Sequence, residues 1–192
     1  MNKKLILGLL LTFTFLLAAC NATTEEGADA AFEKMDELVK EQIPERNETI
    51  GHYQLYFPEK FEMKEEVDEF NILFEKGKNP YILFVNPNED ERSKQLYETT
   101  IEKTEGEITK VYEQDGQFMY VIVTQLDDNR SELTVGVGGR KLTTYDKNKK
   151  LAKAVEPMVQ LIRSLEIMEE ENDVEPEERP LEEPKEEKDE AA

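Results

Sequence analysis

The chain has 192 residues, a length that suits one domain with flanking segments. Its 44 acids against 24 bases leave a net charge of −20, a balance that repels phosphate backbones and disfavours nucleic-acid partners. One cysteine excludes an intramolecular disulfide, and one thiol with one histidine supplies too few ligands for a zinc centre.

Lys3 and Lys4 precede an apolar run over residues 5–19. A short apolar run behind basic residues and closed by small ones has the layout of an export signal. At 15 residues the run is shorter than the roughly 20 needed to cross a bilayer, and Glu25 and Glu26 do not make a basic stop-transfer flank. Residues 1–19 are therefore expected to be removed. The run ends Leu17-Ala18-Ala19-Cys20, which resembles the lipobox of bacterial membrane lipoproteins. The resemblance implies signal-peptidase recognition at Leu17, Ala18 and Ala19, and cleavage before Cys20. It also implies a diacylglycerol on the Cys20 sulfur and often a second, palmitate-like acyl chain on the new amino terminus. A thiolate is the side-chain nucleophile suited to such a thioether. One acyl chain binds a membrane only marginally, at ~0.8 kcal/mol per buried CH₂, so two or three make a stable anchor. The implied address is the extracytoplasmic face of the cell membrane, with the membrane itself a partner through Cys20.

Residues 20–27 form a short polar tether in which Thr23-x-x-Glu26 fits a capping box. A helix is expected over 28–43, with Phe32, Met35, Leu38, Val39 and Ile43 at helical spacing and Pro44 as its stop. Its polar face is acid-rich, which points its stripe to the protein core rather than to lipid. Residues 51–57 alternate, with Tyr53, Leu55 and Phe57 on one face and His52, Gln54 and Tyr56 on the other. Residues 71–75 and 81–85 flank a turn at Gly77, and Asn88-x-x-Glu91 is expected to open a helix carrying Leu96, Tyr97, Thr100 and Ile101. The Asp115-Gly116 turn joins strands over 108–114 and 117–126, followed by strands over 132–137 and 141–144. A final helix over about 148–167 sets Leu151, Val155, Val159, Ile162 and Leu165 on one stripe, with Pro157 expected to kink it.

Residues 81–85 and 118–123 are apolar on both faces, so both faces of those strands are expected to be covered. The expected fold class is α/β of the α+β type: a mainly antiparallel sheet with helices on both faces, in a single domain over 28–167 with its sheet core over 50–167. The order of elements over about 50–166 is similar to the Mog1/PsbP-like sandwiches, whose members are mostly binding or assembly factors without a catalytic centre. Residues 168–192 are rich in Glu and Pro and poor in apolar residues, which predicts a disordered acidic tail. Residues 169–192 hold thirteen acids against Arg179, Lys185 and Lys188. Such a tail suits a solvated spacer or a lure for a basic envelope protein.

No cofactor, metal centre or catalytic set is expected. Gly136-Val137-Gly138-Gly139 lacks the Gly-Lys-Ser/Thr of a phosphate loop and reads as a glycine turn. Asp127-Asp128-Asn129 and the Asn86, Asn88, Glu89, Asp90 group lack calcium-loop spacing and read as turns and caps. His52 would need Ser93, Ser131 or Ser164 for a triad, and none lies in a nucleophile elbow. The expected function is a non-catalytic binding or assembly role in the cell envelope. The alternatives are an envelope hydrolase using paired carboxylates and a small solute-binding lipoprotein.

Overall fold

The computed structural model describes residues 22–68 and 70–168. The signal, the motif at Leu17, Ala18, Ala19 and Cys20, and the tail beyond 168 lie outside the described residues. The fold is mixed α/β and mostly antiparallel, with three α-helices among the described residues.

Two meanders build the main sheet. The first is β3 (Phe61–Asp68), β4 (Asn71–Lys76) and β5 (Asn79–Val85). The second is β6 (Glu107–Gln114), β7 (Gln117–Asp127), β8 (Arg130–Val137) and β9 (Arg140–Lys147). They join where β5 pairs antiparallel with β9, Leu83 opposite Leu142, giving the order β3-β4-β5-β9-β8-β7-β6. A small second sheet collects β1 (Glu48–Ile50), β2 (Tyr53–Leu55) and β10 (Glu166–Ile167). The chain leaves β5 in mid-sheet and must reach β6 at the edge, so the connection has to cross one face. It does so carrying helix α2 (Gln95–Glu102).

Helices α1 (Thr24–Leu38) and α3 (Leu151–Ser164) pack on each other and on the sheet. Ala28, Ala31, Met35 and Leu38 of α1 join Val155, Met158, Leu161 and Ile162 of α3 over Met119, Val121, Leu133, Val135, Leu142 and Leu83. Each Met, Leu, Val or Ile among them contributes about 1.5–3 kcal/mol by leaving water. That sum outweighs the ~3 kcal/mol cost of an interior proline, and α3 runs through buried Pro157 without interruption. Among the described residues no helix is long and apolar enough to cross a membrane.

Several boundaries differ from the sequence expectation, each for a tertiary reason. Helix α1 starts inside the stretch read as tether. Thr23 Oγ1 accepts from Glu26 N at 3.2 Å while Glu26 Oε2 accepts from Thr23 N at 2.9 Å. The helix ends at Leu38, short of Pro44, where Arg163 from α3 donates to Leu38 O at 2.8 Å and Glu41 O at 3.2 Å. Ile43 is left exposed instead of extending the stripe. The expected strand over 51–57 shortens to Tyr53–Leu55, and β1, β3 and β10 were not expected.

Candidate functional site: a groove beside helix α2

Alternation along β7 sends Met119, Val121 and Val123 to the main core and Phe118, Tyr120 and Ile122 to the other face. There Tyr97 and Ile101 of α2 pack on them. The Tyr97 ring sits 5.6 Å from Phe118 and 5.2 Å from Tyr120, and its hydroxyl meets Thr109 Oγ1 at 2.9 Å. The Tyr120 ring fills the space where Gly136 has no side chain, since a Cβ there would lie 1.9 Å from Tyr120 Cζ.

Helix α2 does not open at Asn88 as the cap pattern implied. It begins at Gln95, and its amino end is served from the preceding loop. Glu89 Oε2 accepts from Leu96 N at 3.1 Å and from Ser93 Oγ at 2.7 Å, while Glu89 Oε1 accepts from Asn86 Nδ2 at 2.7 Å. The Gly138-Gly139 turn between β8 and β9 holds that loop in place. Asn86 N donates to Gly139 O at 2.8 Å, and a Cβ on Gly138 would fall 2.1 Å from Asp90 O. The glycines of Gly136-Val137-Gly138-Gly139 thus admit a ring and a loop into close contact with the sheet.

The helix covers one part of this face and leaves another open. Beyond it, the floor continues through Lys141 and Thr143 of β9, Ile82 and Phe84 of β5 and Asn71 of β4. With Leu96, Thr99 and Thr100 of the helix and Lys103 just beyond it as a wall, these side chains bound a groove of about 590 Å³. Ile82 is 37% exposed and Phe84 half-buried, although the unbroken apolar run had implied cover on both sides. Lys141 lies half-buried in the floor. Its Nζ donates to Thr100 Oγ1 at 3.3 Å and stands 6.0 Å from the Phe84 ring centre. Burial pushes its pKa down, nearby Glu132 pulls it back up, and Lys103 lowers it further.

A second hollow, about 450 Å³, is lined by Arg46, Glu89, Glu91, Arg140 and Glu166. Its cations are already committed: Arg140 donates to Leu165 O and Glu91, and Arg46 pairs with Glu166 at 2.7 Å. A third, about 410 Å³, surrounds the β6–β7 turn, where Lys94 pairs with Glu113 at 2.7 Å.

The other residues weighed from sequence are placed as follows. Asp127 accepts from Asn129 N and Arg130 N through one oxygen and pairs with Arg130 through the other, which makes it a turn residue. Ser131 donates to Asn148 Oδ1, Ser164 donates to Leu161 O while accepting from Tyr56 N, and Ser93 is held by Glu89. His52 lies just before β2, its carbonyl accepting from Met168 N at 2.8 Å. Among the described residues no group of three or more His, Cys, Asp or Glu side chains is arranged to hold a metal ion. Cys20, Leu17, Ala18 and Ala19 fall outside the described residues.

No protein-family model matches the chain, and no curated protein matches it significantly. The groove is therefore read from its own chemistry. Neither Lys141 nor Ile82 stood out in the sequence. The available signal was a mismatch between two fully apolar strands and a single short amphipathic segment between them.

Proposed function

We propose that this protein is a lipid-anchored binding protein of the cell envelope, held through Cys20 at the extracytoplasmic face of the cell membrane, with a non-catalytic binding or assembly role. The observation that carries the binding role is the groove beside α2. A volume of about 590 Å³, an apolar floor and a few polar groups suit a ligand site. The lipobox-like run ending at Cys20 supports the address.

The finer architecture in this reading is a Mog1/PsbP-like sandwich with helices on both faces. The packing of Tyr97 and Ile101 on Phe118 and Tyr120 supports the second layer. The acidic residues beyond 168 act here as a solvated spacer that also speeds encounter with a basic envelope protein.

The test is Cys20→Ala in cells fed labelled fatty acid. The expected result is loss of label and release of the chain from membranes. Retention of that variant in the membrane fraction rules out the anchor.

A further inference from the structure

Lys141 differs from the lysines that pair with acids on the surface. The protein has 44 acids for 24 bases, and other lysines find carboxylates easily. Lys34, Lys64, Lys94 and Lys110 each lie within 3.1 Å of one. Lys141 is half-buried, yet among the described residues it has no carboxylate within the 4.0 Å of an ion pair. Among the described residues its side chain donates to the neutral hydroxyl of Thr100. Burial works against its charge, Glu132 partly offsets that, and exposed Lys103 opposes it again. A half-buried lysine with no ion-pair partner among the described residues is unfavourable alone and favourable beside an anion.

The rest of the lining fixes the remainder of the ligand. Leu96, Ile82 and Phe84 offer a continuous apolar surface beside the lysines, and Thr99, Thr100 and Asn71 offer neutral hydrogen-bonding groups. Glu132 on the same groove disfavours a ligand with several negative groups.

We propose that the groove binds a single-chain amphiphile with one anionic head, a carboxylate or a phosphate, which rests between Lys141 and Lys103 while its aliphatic body lies on Ile82, Phe84 and Leu96. This inference rests on the reading of the domain as a binding module and names the ligand class of that same site. The head forms a charge-assisted hydrogen bond to Lys141, and the body covers apolar surface that the fold leaves wet.

The test is calorimetric titration of the full chain, reconstituted in nanodiscs of uncharged phosphatidylcholine, with empty nanodiscs as the blank. The probes are octanoate, octyl phosphate, octanol, octylammonium and inorganic phosphate. Saturable binding of octanoate or octyl phosphate is expected, and the tighter of the two identifies a fatty acid or a single-chain phosphate ester as the source. Lys141→Met should weaken it by about tenfold or more, the value of a charged hydrogen bond. Lys141→Arg should retain binding, and exposed Lys149→Met should leave it unchanged. Octanol or octylammonium binding as tightly as octanoate overturns the proposal. So does inorganic phosphate matching octyl phosphate, or Lys141→Met binding like the wild type. The same preparation reports whether the chain is lipid-anchored. Loss of ligand binding in an anchored chain removes this inference alone, and octanoate binding by an unanchored chain removes the address alone.

Discussion

Strands β7 and β5 carry the same kind of sequence and end in different surroundings. Phe118-Met119-Tyr120-Val121-Ile122-Val123 and Tyr81-Ile82-Leu83-Phe84-Val85 are both unbroken apolar runs. Every residue of the first is buried, whereas the second leaves Ile82 37% exposed and Phe84 half-buried. The strands do not cause the difference. Helix α2 has 8 residues, so it is about 12 Å long and about 10 Å wide. Seven strands at ~4.8 Å spacing spread over about 29 Å. A helix of that size covers part of the face, and the Gly138-Gly139 turn fixes which part by seating the loop that holds Glu89. The main core has helices of 15 and 14 residues packed on it and is closed. One half of the second face therefore serves stability and the other half is left open.

Truncation on the two strands should expose this contrast most strongly. Phe118→Ala should cost about 3–5 kcal/mol because it opens a cavity under Tyr97. Ile82→Ala should cost less than about 1 kcal/mol, since its side chain is already half wet. Urea midpoints for the two variants check the difference, and similar losses would break the comparison. Gly136→Ala should follow at about 3 kcal/mol, because its methyl would have to displace the Tyr120 ring. A smaller effect of the opposite sign is expected from Tyr120→Phe. The Tyr120 hydroxyl is buried with no hydrogen-bond partner among the described residues, and burial with nearby Glu89 drives its pKa upward. Removing it should leave stability unchanged or raise it by up to about 1 kcal/mol, read from the same urea midpoints.

The smallest effect lies on the closed face, where Lys110 donates to Asp36 at 2.8 Å. That hydrogen bond holds the Asp36 carboxyl below its ordinary range. The folded pKa is the lower one. The stabilisation is therefore present above the unfolded value of about 3.9 and is lost as pH falls through the folded value. With both side chains at least 40% exposed, Asp36→Asn should cost no more than about 0.5 kcal/mol at neutral pH. The gap from wild type should close in acid and shrink in high salt.

Sequence pattern carried the parts of this fold that local chemistry decides. The Thr23–Glu26 capping box, the Asp115-Gly116 hairpin and the strands around it stand where their residues put them. Long-range partners set the rest. Strand β3 was illegible because Glu62 and Lys64 decorate it as charged edges are decorated. The start of α2 depends on the Glu89 carboxylate six residues before Gln95, and the end of α1 depends on Arg163. Lys141 reads as an ordinary strand lysine until the sheet order places it beside Phe84 and under Thr100. The groove is a shortfall in helix length, and no single residue in the chain announces it.

The most direct measurement is methyl NMR of the full chain with Ile82 and Ile122 assigned, followed through a titration with octanoate. Both isoleucines lie on the same face of the sheet, one in the open half and one beneath α2. The Ile82 methyls should shift to saturation while the Ile122 methyls stay in place. A stationary Ile82, or equal movement of both, would contradict the division of this face into a closed half and a binding half.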